Sequence, residues 1–252
     1  MTTAGFLYPG HFAEDEFPRM EVILDTTIRL VVNRTEPGED DRRPDTLRTL
    51  GEPERLAAGV EELRRAGVES VVWASTGGSF VYGWEGAHGQ TTALARAAGL
   101  PASSASLGFV QAVRALGAAR VAVAATYPEE IARLFSEFLA AAGIDVVATH
   151  SGGVTTAAEA AAWGPDRLKE LAVAADRPEA DAVLLPDTAL HTTAHICDLE
   201  ELLAKPVLTA NQVTVFEALR LARRRTWAPQ LGTLFAAREA PPAPVGWRPA
   251  GE

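Results

Sequence analysis

Two short segments contain the residue types that could carry chemistry. The first, residues 74–79 (ASTGGS), follows the apolar run 68–73, and its hydroxyls and backbone N–H groups suit a carboxylate or a developing oxyanion. The second, residues 186–190 (PDTAL), follows the apolar run 182–185 about 110 residues later. Because each segment follows a predicted strand, we expect both at strand carboxyl ends, where open parallel sheets bind ligands.

Three side chains in these segments or near them are candidates for a role in substrate chemistry. Asp187 is a candidate acid or base, because a cleft lined by apolar residues disfavours the charged form of a carboxyl group. The alternative for Asp187 is a helix N-cap, and the alternative for Ser75 is a simple glycine-rich turn. Tyr127 follows the apolar run 120–125. Its hydroxyl either points into the cleft as a donor or packs at the strand end.

Histidine and cysteine residues give little support for a metal site. His191 and His195 are four residues apart, the spacing of one helix face, but no carboxylate completes an H-E-x-x-H pattern. Cys197 is the single cysteine, which excludes an intramolecular disulfide and a cysteine-rich metal site. We interpret it as a small core or boundary residue of a helix. The segment 74–79 also lacks the G-x-G-x-x-G pattern of dinucleotide sites, and no G-x-S-x-G nucleophile motif is present.

Strand-like and helix-like stretches alternate along the chain with short links. Strands are predicted at 5–8, 28–33, 68–73, 120–125, 145–149, 182–185 and 206–209. Helices are predicted at 54–66, 91–98, 106–116, 128–142, 156–162, 165–175, 199–204 and 213–223. The acidic, proline-containing segment 36–45 is predicted to be a loop. This alternation predicts an α/β fold with parallel sheets, and the recurring strand-to-turn segment predicts two similar halves that face one cleft.

Composition limits the classes of function. Hydrophobic residues make up 47% and charged residues 22% of the 252 residues, a balance that supports a core and excludes wholesale disorder. The net charge of −10 and the scattered basic residues predict no nucleic-acid partner. The N-terminus lacks the features of a signal peptide, and no apolar run approaches the roughly 18 residues of a membrane span. We therefore expect a cytoplasmic protein without a membrane partner.

Several segments together resemble those of a known superfamily. They are GFLYPG near the N-terminus, ASTGGSF, GLPASSASLGFVQAVRALGAARVAVAATY, VLLPDTAL and KPVLTANQVTVFEALRLA. In order and spacing, over about residues 5–235, they resemble the aspartate/glutamate racemase superfamily, in the branch of arylmalonate decarboxylase and maleate cis-trans isomerase. The resemblance implies two Rossmann-like halves related by a pseudo-twofold axis, with the active site between them and neither cofactor nor metal. We assign 1–105 with 212–235 to one half, 106–211 to the other, and 236–252 to a Pro-rich tail.

The resemblance also implies roles for individual residues. The family's two catalytic cysteine positions fall on Ser75 and Asp187, so this chain lacks both thiols; the decarboxylases have glycine at the first. The implied substrate and oxyanion-binding residues are Thr76, Gly77, Tyr127, Thr188, Ala189 and Asn211. His191 and Pro9 are additional candidates, and the isomerases' first-loop asparagine falls on Phe12.

The missing thiols decide which chemistry we expect. A serine hydroxyl without a base accepts a proton poorly, so two-thiol racemisation is not expected, and covalent isomerisation lacks its thiolate. Decarboxylation needs a dry pocket, oxyanion donors and one proton donor. We therefore predict a cofactor-independent, decarboxylase-like lyase or isomerase that acts on a small carboxylic acid through an enediolate-type intermediate, with Asp187 as acid/base.

Three alternatives stay open. The protein could be a maleate isomerase-like cis-trans isomerase, a repurposed hydrolytic enzyme of the same fold, or a non-catalytic carboxylate-binding paralogue. The expected partners are a small carboxylate and, as in many family members, further copies of the chain in a homodimer or larger homo-oligomer.

Overall fold

The computed structural model describes residues 1–36 and 38–236, and in this part of the chain it contains two parallel four-stranded sheets. The strands are β1 (Thr2–Pro9), β2 (Ile28–Thr35), β3 (Ser70–Trp73), β4 (Ala102–Ser104), β5 (Arg120–Ala125), β6 (Asp145–Ser151), β7 (Ala182–Leu185) and β8 (Val207–Thr209). The first sheet has the order β2-β1-β3-β4 and the second the order β6-β5-β7-β8. The matching order confirms the predicted α/β fold with two similar halves.

Helices connect the strands and cover the sheets. In chain order they are α1 (Glu16–Ile23), α2 (Pro44–Leu50), α3 (Pro53–Arg65), α4 (Gly77–Phe80), α5 (Gly83–Ala98), α6 (Ala105–Ala115), α7 (Glu129–Ala141), α8 (Ala157–Ala161), α9 (Pro165–Ala175), α10 (Ile196–Leu203), α11 (Ala210–Leu221) and α12 (Thr233–Ala236). Among the described residues, no helix is both long enough and apolar enough to span a membrane.

Burial follows the sequence pattern closely in the second sheet. Every residue of β5 after Arg120 is buried, as expected for a parallel strand that has helices on both faces. Helix α7 buries one face, which carries Ile131, Phe135 and Phe138 at the three- and four-residue spacing of a helix. The apolar sequence of the strand and the amphipathic sequence of the helix therefore specify the same packed layer.

Helices α6 and α11 join the two halves. Each helix starts directly after an edge strand, α6 after β4 and α11 after β8, and the two pack against each other. The contact is close, because a Cβ atom on Gly108 of α6 would lie 2.9 Å from the carbonyl oxygen of Val213 in α11. Helix α11 also returns to the first sheet, where the Ser70 hydroxyl of β3 donates to the Ala218 carbonyl at 2.9 Å.

Five elements are absent from the sequence-based prediction, namely α1, α2, α4, α12 and β4. The predicted loop 36–45 ends early, because α2 begins at Pro44, a residue favoured in the first turn of a helix. Segment 74–79 is also more ordered than a simple turn, since α4 starts at Gly77 within it. The predicted Pro-rich tail, 236–252, lies outside the described residues except for its first residue.

Gly51 packs closely against segment 74–79, so we expect this position to be sensitive to a larger side chain. A Cβ atom there would lie 2.1 Å from the Gly78 carbonyl oxygen and 2.3 Å from Nε2 of Gln90. We expect Gly51→Ala to lower the free energy of unfolding by about 1–3 kcal/mol, because overpacking must displace the backbone beside Ser75. Urea unfolding measures this change. The control is Gly89→Ala, since a Cβ at Gly89 meets nothing within 4 Å in the α5 interior, where alanine favours the helix.

Candidate functional site

A cleft opens where the carboxyl ends of the two sheets face each other, with an empty volume of about 530 Å³ including its mouth. Seven of the predicted site residues line it: Pro9, Ser75, Gly77, Tyr127, Asp187, Thr188 and Ala189. The other lining residues are Tyr8, Phe12, Glu39, Asp40, Asp41, Arg42, Leu47, Leu50 and Ala157. Two segments more than a hundred residues apart in sequence thus contribute to one site.

Ser75 and Asp187 occupy matching places in the two halves. Each lies two residues after the end of the third strand in its sheet's order, Ser75 after β3 and Asp187 after β7. The Ser75 hydroxyl accepts a hydrogen bond from the Gly78 backbone N–H at 3.1 Å, and the residue is buried. The pseudo-symmetric placement means that a ligand in the cleft meets a hydroxyl from one half and a carboxylate from the other.

The Asp187 carboxylate is buried and accepts hydrogen bonds at both oxygens. Oδ2 accepts from Arg42 Nη2 at 2.7 Å and from the Thr126 hydroxyl, and Oδ1 accepts from the Ala189 backbone N–H at 3.0 Å. No helix starts at Asp187, because the next helical turn begins only at Thr193. The N-cap alternative is therefore wrong, and Asp187 is a cleft residue.

Arg42, like Tyr8, lines the cleft and was missed by the sequence analysis. Its side chain is only 4% exposed, Nη1 donates to the Thr126 hydroxyl at 2.8 Å, and its guanidinium carbon lies 4.6 Å from the centre of the Tyr127 ring. Burial opposes the charge, but the Asp187 carboxylate raises the pKa of the guanidinium above its ordinary value. Asp187 thus lies in a buried ion pair, whereas the sequence analysis predicted apolar surroundings.

The segment that carries Arg42 crosses the cleft; we call residues 38–43 the strap. The Arg42 backbone N–H donates to the Thr155 carbonyl at 3.0 Å. The Asp40 carboxylate accepts from the backbone N–H groups of Ala157 and Ala158, at 2.6 and 3.0 Å, at the start of α8. A segment between β2 and α2 of the first half is therefore anchored to the second half, and it covers the Asp187 side of the cleft.

Two tyrosines reach across the cleft from the second strand in each sheet's order. The Tyr8 hydroxyl donates to the Thr188 carbonyl at 2.8 Å and accepts from the Ala13 backbone N–H at 2.9 Å. The Tyr127 hydroxyl donates to the Pro186 carbonyl at 2.8 Å and interacts with the backbone amide of Gly77. Burial, followed by the charge of Asp187, raises the pKa of the Tyr127 hydroxyl well above its ordinary value, and burial likewise raises the pKa of Tyr8. Both hydroxyls therefore remain neutral donors.

The raised tyrosine pKa values predict a loss of stability in alkali. A group whose pKa is raised by folding stabilises the protein fully below its unfolded pKa, here about 10.0, and this contribution is lost as the pH rises further. Each tyrosine then removes about 1.4 kcal/mol per pH unit from the free energy of unfolding. Urea unfolding at a series of pH values should show a shallower alkaline decline for Tyr8→Phe and for Tyr127→Phe. A decline as steep as that of the unmodified protein would contradict the prediction.

Thr76, Asn211 and His191, three further predicted site residues, are not among the residues that line the cleft. Thr76 is fully buried beside Ser75, and its side-chain hydroxyl has no hydrogen-bond partner. Asn211 is hydrogen-bonded to segment 186–190, because its Nδ2 donates to the carbonyls of Thr188 and Leu190 at 3.1 and 3.3 Å. His191 instead pairs with Asp15, with 2.9 Å between Nε2 and Oδ1.

The histidine pair and the cysteine also lie apart from the cleft. His191 precedes the short helical turn Thr193–His195, so His191 and His195 do not share a helix face. Within the part of the chain that the structure describes, no group of three or more His, Cys, Asp or Glu side chains could hold a metal ion. Cys197 is exposed on α10, so its assignment to the core or its boundary is wrong.

A signal for one missed residue is present in the sequence. Tyr8 and Tyr127 are each followed by proline near the end of an apolar strand, and this repeated Tyr-Pro pair marks equivalent positions of the two halves. Arg42 carries no such signal. Its neighbour Arg43 has the same local sequence context, yet its side chain is 68% exposed.

Comparison with known proteins adds the family context. Residues 52–235 match the model of a family described as arylmalonate decarboxylase. The arylmalonate decarboxylase of Bordetella bronchiseptica is 30% identical over 185 residues, which cover 72% of this chain and 77% of that protein. The maleate isomerase of Geobacillus stearothermophilus is 28% identical over 139 residues, or 55% of each chain.

Solved structures of the same two kinds of enzyme share the fold. The maleate isomerase Iso of Pseudomonas putida S16 superposes with a TM-score of 0.84 at 20% identity, covering 94% of this chain and 98% of that one. A crystal structure of arylmalonate decarboxylase gives a TM-score of 0.75 at 25% identity, with 92% and 98% covered.

Proposed function

Because the chain belongs to the arylmalonate decarboxylase family, we propose that it is a cofactor-independent lyase or proton-transfer isomerase of a small carboxylic acid. Relatives named as a decarboxylase and as isomerases support activity of this kind on small carboxylic acids. The observation that carries the proposal is the placement of Ser75 and Asp187 at matching strand ends across one cleft. In this position the Asp187 carboxyl group can exchange a proton with a substrate carbon.

The proposed reaction passes through an enediolate. In decarboxylation, the bond between the α-carbon and one carboxylate breaks, CO₂ leaves, and the electron pair forms an enediolate with the remaining carboxylate. A proton from Asp187 then adds to the α-carbon. In isomerisation, Asp187 removes an α-proton to give an enediolate. The proton then returns to a different face or a different carbon of this anion. In both reactions the enzyme must stabilise negative charge on the enediolate oxygens.

Neutral donors for those oxygens come from both halves. The Tyr127 hydroxyl lines the cleft, and its raised pKa keeps its proton in place, so it can turn from the Pro186 carbonyl to an enediolate oxygen. Ser75 supplies a second hydroxyl on the opposite side. Each oriented donor of this kind is worth about 3 kcal/mol in the transition state.

An apolar wall fits the hydrocarbon part of such a substrate. Phe12, Leu47 and Leu50 line the cleft together with the charged pair. A molecule with a carboxylate at one end and an alkyl or aryl group at the other would match both surfaces. Covalent isomerisation through a thiolate has no support at this site, because the single cysteine is Cys197, on the exposed side of α10.

Deuterium transfer on a panel of small carboxylic acids tests the proposal. Malonate, methylmalonate, phenylmalonate and maleate are each incubated with the protein in D₂O and followed by ¹H and ¹³C NMR. We expect at least one acid to lose CO₂ or to gain deuterium at its α-carbon faster than the buffer control. If every acid reacts only at the rate of the buffer control, the protein is not an enzyme for these acids and the proposal is overturned. Ser75→Ala reports whether the second hydroxyl contributes.

A further inference from the structure

We propose that Arg42 is a substrate-binding residue that exchanges its guanidinium between Asp187 and a carboxylate of the substrate, so that binding converts Asp187 from base to acid. The inference rests on the decarboxylation branch of the proposed function, because it assumes a carboxylate ligand in the cleft and an Asp187 that acts as an acid. It starts from one geometric observation: Arg42 and Asp187 form a buried pair at 2.7 Å, and both side chains line the cleft that a ligand must enter.

The charges of the cleft favour such an exchange. Among the described residues that line it, Arg42 is the single Lys or Arg side chain, against four acidic residues: Glu39, Asp40, Asp41 and Asp187. An incoming carboxylate therefore finds one strong cationic donor, and that donor is already paired. A guanidinium has five N–H donors arranged to grip a carboxylate with two parallel hydrogen bonds, which makes it the natural receptor.

Loss of the guanidinium changes the state of Asp187. A buried carboxylate without a positive partner takes up a proton, because the charged form is strongly disfavoured in a site closed to water. In the exchange, the Arg42–Asp187 pair, a carboxylate and a proton from solvent give the Arg42–carboxylate pair and neutral Asp187. Neutral Asp187 can then deliver that proton to the enediolate carbon. The resulting Asp187 carboxylate forms its ion pair with Arg42 again as the product leaves.

The surroundings hold Arg42 in place for either partner. The Tyr127 ring lies under the guanidinium, and Thr126 binds its Nη1, so the planar group can shift between two acceptors without leaving its site. The strap limits the motion, because the Arg42 backbone is hydrogen-bonded to Thr155 and Asp40 is bound at the start of α8. Local movement of one side chain is therefore sufficient.

The other ionisable groups that face the pair do not account for a proton uptake. Burial keeps Tyr8 and Tyr127 neutral, as described above. Asp40 accepts two backbone hydrogen bonds, and Glu39 and Asp41 both pair with the Arg43 guanidinium. Asp187 is therefore the group that we expect to take up the proton, because a ligand would draw the guanidinium away from it.

Calorimetric titration tests the exchange without turnover. Succinate and phenylacetate are titrated into the full-length protein in two buffers of different ionisation enthalpy. Neither acid carries a second carboxyl group on its α-carbon, so neither can undergo the proposed decarboxylation. We expect binding to take up a proton, and the affinity to fall about tenfold per unit rise of pH. Asp187→Asn should bind without proton uptake. Arg42→Gln should lose binding, whereas Arg43→Gln, which changes the exposed neighbour, should behave like the unmodified protein.

Each other outcome overturns the inference. Binding by the unmodified protein without proton uptake would exclude the exchange, and unchanged affinity in Arg42→Gln would exclude Arg42 as the receptor. Absence of binding by both acids would also exclude it. The NMR assay separates this result from the proposed function. Proton-linked binding combined with background rates in D₂O would support the exchange in a carboxylate-binding protein without catalysis.

Discussion

Asp187→Asn should reduce turnover of any active carboxylate by about 100- to 10,000-fold, the usual contribution of a positioned acid or base. The amide keeps the size of the side chain but can neither accept the α-proton nor deliver one. The rate of deuterium incorporation in D₂O measures the effect. A variant that keeps the full rate would contradict the role of Asp187 in proton transfer.

The matched control for this substitution is Asp181→Asn, at the opposite end of the same strand region. The Asp181 carboxylate accepts hydrogen bonds from the backbone N–H groups of Ala119 and Arg120 far from the cleft, and these bonds lower its pKa. Its loss should affect stability slightly and turnover not at all. Thermal unfolding of both variants distinguishes a chemical defect from partial unfolding.

Arg42→Met should lower the free energy of unfolding at neutral pH by about 3–5 kcal/mol, because it leaves a buried carboxylate without its positive partner. Both side chains of the pair are only 4% exposed, so the carboxylate has little contact with water. Urea unfolding gives the change directly. The neighbouring Arg43→Met should change stability little, since the Arg43 side chain is mostly in solvent.

The double variant Arg42→Met/Asp187→Leu should recover part of that stability. Removing both charges removes the cost of an uncompensated buried ion, so the double variant should be more stable than Arg42→Met alone. If the double variant is the less stable of the two, the buried carboxylate is not the cause of the loss. Both proteins should be inactive, which separates the stability of the pair from its chemistry.

Seven of the eight described strands could be predicted from the sequence, because they are short runs rich in apolar residues that are separated by helices. Strand β5 and helix α9 have the predicted limits, since the apolar pattern of each ends abruptly. Helix α1 was missed, although its Glu16 is buried and accepts hydrogen bonds from Thr192 and Thr193. The helix packs against β2 and is hydrogen-bonded to the second half through Glu16, and no local sequence pattern contains these contacts.

The site could be predicted in part for the same reason. Ser75, Tyr127 and Asp187 follow recognisable strands, so topology alone brings them to one edge. Arg42 reaches them from a strap whose sequence is typical of an exposed loop, through contacts with residues 84 and 145 positions away. A position set by such distant partners carries no periodic signal, and Arg42 cannot be told from Arg43 without the fold.

The crosswise reach of the two tyrosines makes the candidate site a property of the assembled molecule. Tyr8 holds a carbonyl of the opposite turn at Thr188, and Tyr127 interacts with the opposite turn at Gly77. Neither half alone would present its turn in the shape that the cleft requires. If the two halves were produced as separate fragments, activity would therefore return only on their reassociation, and complementation of fragments would report the formation of the site itself.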